Sequence, residues 1–274
     1  MTEDVMTHYG GVNALADAIV ESLRKAGVDL AELKTSDLST VDEFHIRGRK
    51  ATLELAEQMN LGEQAHVLDI GSGLGGPART LAEAYGCHVT GIDLTREFCE
   101  AAEALSKWID LSDRVTFKQG DATNLPFDDD QFDAAMTIHV AMNIPDKNKL
   151  YVEARRVLKP GGVFAAYDVL QGEGGDVLFP VPWAREPSIS HVVTQEKMES
   201  LLTDAEFQIV NTHDSTDESQ NWFEARTARM SQSGPPLVTL SQVIFGDDFR
   251  EMARNQVRNL TERRIRTVTY ICKK

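Results

Sequence analysis

The sequence predicts an α/β protein, a doubly wound and mostly parallel sheet with helices on both faces. Three observations predict it. From His66 onward, short apolar and β-branched runs alternate with segments of helical periodicity. A glycine-rich turn, Gly71-Ser72-Gly73-Leu74-Gly75-Gly76, follows the first of those runs. Acids stand at the ends of the first three strands, as Asp69, Asp93 and Asp121.

Taken in order, Val12, Leu15, Ala16, Ile19, Val20 and Leu23 repeat at three and four and stop before Gly27, which predicts an amphipathic helix. A polar stretch, Thr35 to Asp42, separates it from a second helix over Gly48 to Met59, where Ala51, Leu55 and Ala56 share one side. Residues 1–60 are thus expected to form a helical segment closing over a site in the core. The core, 61–170, is expected to hold strands at His66–Ile70, His88–Ile92, Arg114–Gln119, Phe132–Ile138 and Val163–Val169, with helices over Ala78–Tyr85 and Lys147–Leu158. The rhythm breaks from Leu170 to Val193, where Gly172, Gly174, Gly175, Pro180, Pro182 and Pro187 mark a cap loop, assigned to 171–193. Residues 194–274 complete the sheet: a helix at Glu196–Leu202, a strand at Glu206–Thr212, two polar helices reaching Leu260, and a β-branched strand at Arg264–Ile271, expected antiparallel at the sheet edge.

The 274 residues, 42% apolar and 26% charged, suit one large domain or a core with an elaborated cap. A formal charge of −15 opposes general binding to nucleic acid or anionic membranes. The basic run from Arg250 to Lys274 is expected to be a solvated face. Cys87, Cys99 and Cys272 have no CxxC spacing, which points to a reducing compartment; no apolar run reaches the roughly 18 residues a membrane helix needs, and a cytoplasmic location is expected. His66 and His88 lack partners at ligand spacing, so no metal is expected.

Gly71, Gly73 and Gly76 satisfy GxGxxG, and Asp93 closes the next strand, where a carboxylate can bond both hydroxyls of a ribose. A nicotinamide dinucleotide fits that much. Its pyrophosphate wants amides without a nearby anion, whereas S-adenosylmethionine carries an ammonium and a sulfonium that favour carboxylates around the loop. Asp69, two residues before the first glycine, suits the second ligand, and Asp121 adds a third acid. Each acid taken singly is equally a cap or turn residue; three at successive strand ends are less easily accidental.

With these motifs in place, the chain resembles the class I S-adenosylmethionine-dependent methyltransferases. The resemblance runs through Val67-Leu68-Asp69-Ile70-Gly71-Ser72-Gly73, Gly91-Ile92-Asp93, Gly120-Asp121-Ala122 with Leu125-Pro126-Phe127, and Arg156-Val157-Leu158-Lys159-Pro160-Gly161-Gly162. It implies a Rossmann-like sheet of seven strands with the last reversed. It implies that Asp69 and Gly71 lie at the methionine end of the cofactor, Asp93 at the ribose, and Asp121 with Ala122 at the adenine, with Ser72, Gly73 and Leu94 as further cofactor-binding candidates. A narrower resemblance, to the bacterial sarcosine/dimethylglycine methyltransferase-like group, rests on Glu43-Phe44-His45-Ile46-Arg47-Gly48-Arg49, Ile138-His139-Val140-Ala141-Met142-Asn143-Ile144, Tyr167-Asp168-Val169 and Phe179-Pro180-Val181-Pro182-Trp183-Ala184. Related small-molecule methyltransferases often carry a His-His pair where Met142-Asn143 stands.

Methyl transfer from a sulfonium is an in-line displacement, so alignment and water exclusion supply most of the catalysis, and a base is needed only where the acceptor must lose a proton. His139, after the fourth strand, is the candidate base and a second cofactor contact; Asp168, after the fifth, is the candidate to orient it or attract a substrate ammonium. Tyr9, His45, Met142, Asn143 and Trp183 are expected around the acceptor, with Arg49 and Arg185 for a substrate carboxylate. The function expected is methylation of a small molecule, with N-methylation of sarcosine- or dimethylglycine-type amines foremost. O- or C-methylation of a quinone, phenol or terpenoid and non-catalytic cofactor binding are the alternatives. The expected partner is the substrate, and a homodimer is left open.

Overall fold

The computed structural model describes residues 15–25, 27–233 and 248–274. Three helices open it: α1 (Leu15–Lys25), α2 (Thr35–Asp42) and α3 (Gly48–Glu57). The stretch read as a polar connection is α2. Only Leu38 and Val41 supply its apolar face, too little for a periodic signal, yet both are buried against α1 and the helix after the second strand.

The core then alternates β1 (His66–Ile70), α4 (Gly76–Tyr85), β2 (His88–Asp93), α5 (Arg96–Trp108), β3 (Val115–Gln119), β4 (Phe132–Ile138), α6 (Lys147–Val157) and β5 (Leu158–Gln171). It closes with α7 (Gln195–Asp204), β6 (Gln208–Asp214), α8 (Thr216–Ser233), α9 (Phe249–Thr261) and β7 (Ile265–Lys273). The seven strands lie in the order β3-β2-β1-β4-β5-β7-β6; β1 to β5 are parallel and β7 runs antiparallel to both neighbours.

The reversed strand is therefore not at the edge, as the sequence had suggested. The apolar side chains of β7, Ile265, Val268, Tyr270, Ile271 and Cys272, are buried and want cover on both sides, while β6 carries Gln208, Asn211, Thr212, His213 and Asp214 and tolerates the exposed edge. The basic run is met by acids: Arg263 pairs with Asp217, Arg264 with Glu262 and Arg266 with Glu173.

Alternate residues feed opposite faces of the sheet. Leu68, Ile70, Ala135, Phe164 and Ala166 pack under α6 and α7, through Leu150, Tyr151, Met198 and Leu202. Val67, Val89, Ala134, Met136 and Ala165 pack under α3, α4 and α5, through Leu55, Leu81 and Ala102. Because β1 lies between β2 and β4, the chain turns away in opposite directions after β1 and β4. The crevice at their carboxyl ends is the place where this fold class binds ligands.

Candidate cofactor and acceptor site

A cavity of about 310 Å³ opens at that crevice. Its floor is the turn after β1. Gly71 has φ +78°, and a Cβ there would lie 2.4 Å from Val140 Cγ2, so the loop and the turn after β4 touch only because this residue has no side chain. Gly73 has φ +52° and open space around it. The loop is tied to β2 by Asp93, whose Oδ2 accepts from Gly73 N at 2.9 Å and whose Oδ1 accepts from Thr95 N at 2.8 Å.

Asp69, Gly71, Ser72 and Gly73, then Asp93 and Leu94, then Asp121 and Ala122 line the wall one after another. Asp121 Oδ1 accepts from Thr123 N at 2.8 Å, an Asx turn that holds the strand-three end in shape. At the floor, Asp69 Oδ2 and Ser72 Oγ are buried without a hydrogen-bond partner among the described residues. Burial, with Asp93 and Glu43 nearby, pushes the Asp69 carboxyl up to about 8 against the pull of Arg79. An unpaired acid among acids is a socket for a cation, and an acid-rich glycine turn fits the ammonium and sulfonium of S-adenosylmethionine better than a pyrophosphate.

The other end of the cavity is formed by Phe44, His45, His139, Met142, Asn143, Pro182 and Trp183. His139 has φ +54°, and its N–H donates to Tyr167 O at 2.8 Å, which turns the chain off β4 and stands the ring over Tyr167, centroids 4.8 Å apart. Burial, then His45, holds His139 well below its ordinary value, so it is neutral, and its Nε2 has no partner among the described residues. The His45 ring meets it edge-on at 5.9 Å. His45 Nε2 lies 3.0 Å from Gly48 O, and burial lowers its pKa to about 4.

Three of the sequence-selected residues stand apart from this wall. Asp168 is buried beneath the turn after β4, bonded by Val169 N at 2.9 Å and facing the N–H groups of Ala141 and Met142 and the Lys147 ammonium, so its expected place beside His139 is corrected. A strand-end acid is drawn to the nearest orphan amides, and here these lie below the site. Arg49 bonds Thr80 Oγ1 at 2.8 Å and Glu83 at 2.5 Å, and Arg185 pairs with Asp248 in the open; neither lines the cavity, because each finds a closer carboxylate. Tyr9 lies outside the described residues.

Sequence reasoning missed the buried charges behind the site. Asp42 and Arg79 form an ion pair, and Glu43 accepts from Thr52 Oγ1 at 2.5 Å and Thr80 Oγ1 at 2.6 Å. The available signal was an arginine between Ala78 and Leu81 in the helix that follows the glycine turn, since a buried guanidinium requires a carboxylate from elsewhere.

Residues 68–166 match the family model described as a methyltransferase domain. The chain is 40% identical to a sterol 24-C-methyltransferase of Gibberella zeae over 42% of its own length and 30% of that protein's. It is 36% identical to the methyltransferase GfsG of Streptomyces halstedii over 49% and 48% of the two lengths. The chain thus spans less than half the length of these curated relatives. Among solved structures, the phosphoethanolamine N-methyltransferase 2 of Haemonchus contortus, in complex with S-adenosylmethionine, superposes with TM-score 0.73 at 19% identity over 96% of this chain and 60% of that one. A Galdieria sulphuraria protein named as a sarcosine dimethylglycine methyltransferase gives 0.65 at 20% identity over 82% and 83%. The cyclase SpnF gives 0.66 at 25% identity over 82% and 81%. No helix among the described residues is long and apolar enough to cross a membrane. Residues 68–166 match a methyltransferase domain, the sheet has the fold of class I methyltransferases, and the glycine turn with its strand-end acids fits S-adenosylmethionine.

Proposed function

We propose that the protein transfers a methyl group from S-adenosylmethionine to a small-molecule acceptor. The observation that carries this reading is the unpaired, buried Asp69 Oδ2 on the cavity floor, in line with Asp93 and Asp121 along one wall. Bound there, the cofactor supplies an electrophilic methyl carried on a sulfonium. Asp69 would hold the amino group, Asp93 the ribose hydroxyls, and Asp121 with Ala122 the adenine edge. His139 and His45 bound the acceptor end, and Phe44 from the N-terminal segment with Pro182 and Trp183 from the cap would cover it and keep water from the reacting centre.

The acceptor that the wall favours is uncharged with an apolar body, as in O- or C-methylation. Phe44, Met142, Trp183 and a neutral His139 face it, and Lys149, ion-paired with Asp146 at 3.3 Å, is the sole Lys or Arg of the wall among the described residues. N-methylation of a sarcosine- or dimethylglycine-type amine is the second reading. The acid-rich wall and the narrower sequence resemblance support it, but Arg49 and Arg185 are engaged elsewhere and leave a substrate carboxylate without its guanidinium.

Calorimetric titration with S-adenosylhomocysteine, followed by cofactor turnover against sarcosine, dimethylglycine, simple phenols and a terpenoid, tests both readings. Turnover with the uncharged acceptors is expected. Turnover confined to the amino acids overturns the preferred acceptor; binding without turnover across the panel points to a non-catalytic cofactor-binding protein; absence of binding overturns the assignment.

A further inference from the structure

The cap meets the turn after β4 through side chains that the cofactor does not need. Asn143 Nδ2 donates to Trp183 O at 2.7 Å and to Ile189 O at 3.2 Å. Lys147 Nζ, in the first turn of α6, donates to Ile144 O at 2.8 Å and to His191 O at 2.5 Å. Between them, His191 N donates to Met142 O at 2.7 Å. The cap has little regular structure of its own beyond a Val181–Ala184 bridge and a single 3₁₀ turn at Pro187–Ile189, so its carbonyls depend on donors from elsewhere.

Placement makes these donors more than structural filler. Asn143 lines the cavity, so the carboxamide that grips the cap belongs to the acceptor wall. What it grips is the backbone of Trp183, a residue only 2% exposed that closes the same wall. Lys147 is 4% exposed, a cation taken out of water, with Asp168 of β5 and His191 of the cap as the titratable groups facing it. An ammonium is retained in such a place when its donors are used, and the Lys147 ammonium donates to carbonyls that end the turn and the cap.

We propose that Asn143 and Lys147 are positioning residues that clamp the cap across the acceptor end of the cavity, Asn143 fixing Trp183 and Lys147 fixing His191. The purpose of the clamp rests on the methyl-transfer reading, but its existence does not. Exchange of one donor for an acceptor at Asn143 reverses the interaction without changing the shape of the side chain.

Amide hydrogen exchange on the full chain, with and without saturating S-adenosylhomocysteine, tests the clamp. Peptides spanning 178–193 report the cap, and those of β5 and β7 report general stability. At about pH 8, Asn143→Asp sets a carboxylate against two carbonyls, and exchange in 178–193 is expected to rise about tenfold over wild type while β5 and β7 stay unchanged. Near pH 4 the introduced carboxyl is protonated and regains an O–H donor, so the excess over wild type should shrink, which a mere packing defect would not do. Lys147→Met should speed exchange around His191, and Lys147→Gln, which keeps two N–H donors on a shorter arm, should restore part of the protection. Cap exchange unchanged in Asn143→Asp, an excess of the same size at both pH values, or equal acceleration in β5 and β7 would each overturn the proposal. Should Asn143→Asp not fold, Asn143→Ser, with a single donor, is judged by the same peptides against Asn143→Ala. Failure of S-adenosylhomocysteine to bind counts against the methyl-transfer reading alone, and the cofactor-free exchange then decides the clamp.

Discussion

Arg79 Nη2 donates to Asp42 Oδ2 at 2.7 Å, with the two side chains 0% and 1% exposed. The same guanidinium reaches Leu74 O in the glycine turn, and Ala102 O at 3.1 Å and Ser106 Oγ at 3.0 Å on α5. One cation thus joins the N-terminal segment, the cofactor loop and the second core helix. It is also the counter-ion for a group of buried acids, since it lowers the pKa of Asp42, Glu43 and Asp69 against burial that raises all three. Removing one partner of a buried pair leaves the other charge uncompensated, so Arg79→Met should cost about 3–5 kcal/mol of stability. Urea denaturation of the cofactor-free protein measures it. A loss below about 1 kcal/mol, the worth of an exposed pair, would show that the network is not what holds the loop.

A second prediction concerns protons. The Asp69 carboxyl is pushed up to about 8 by burial first and by Asp93 and Glu43 next, so before the cofactor binds it is expected to hold a proton at neutral pH. A raised carboxyl pKa contributes stability that is full below the unfolded value near 3.8 and is lost as pH rises through about 8. An arriving ammonium favours the ionised form, so binding of S-adenosylhomocysteine should expel a proton below that pH and tighten as pH rises toward it. Calorimetry in buffers of different ionisation enthalpy reads the proton directly. Asp69→Asn should abolish the buffer dependence and weaken binding roughly tenfold to a hundredfold, the worth of a charge-assisted hydrogen bond. Binding heats independent of buffer would sink this account.

His139 makes a third. Burial and the neighbouring His45 hold its pKa well below the ordinary histidine value of 6.5, so the proton-free ring that a base requires persists as pH falls through 6.5. Turnover of an acceptor that loses a proton should therefore show its acidic limb below that value. His139→Gln should reduce kcat about 10²–10⁴-fold for a phenolic or carbon acceptor and little for an amine that arrives neutral. An acidic limb at or above the ordinary histidine value would remove His139 from the proton's path.

Much of the architecture was legible where chemistry is local. Phe132–Ile138 forms a strand over the bounds read from its apolar run, and the floor of the cavity follows from Asp69, the glycines and Asp93, because strand, turn and ligand wall are consecutive in the chain. What escaped was decided across the chain. Strand order is not written in periodicity, so β7 was expected at the edge that β6 occupies. Asp168 at a strand end and Arg49 near the site had the right residue types, but amides below the turn and Glu83 on α4 were closer partners than any ligand. Asp42 meets Arg79, and Glu43 meets Thr80, each over a separation of 37 residues, which no local pattern announces.

The last prediction separates two reasons for a glycine in the loop. Gly71 and Gly73 both have positive φ, +78° and +52°, so alanine strains the backbone at either. That strain costs about 1–2 kcal/mol per residue. Only at Gly71 would the new Cβ also collide, 2.4 Å and 2.9 Å from the two Val140 methyls, and Val140 follows His139 in the turn that walls the acceptor end. Gly73→Ala should then lower stability modestly and reduce cofactor affinity through the loop alone. Gly71→Ala should destabilise more and push the turn after β4 outward. Val140→Ala, which removes the two methyls, should recover the difference between the variants but not the strain they share. Paired thermal denaturation and S-adenosylhomocysteine titration of the three single variants and the Gly71→Ala/Val140→Ala double variant measure this. Equal losses at Gly71 and Gly73, with no recovery in the double variant, would mean that backbone conformation alone explains both glycines.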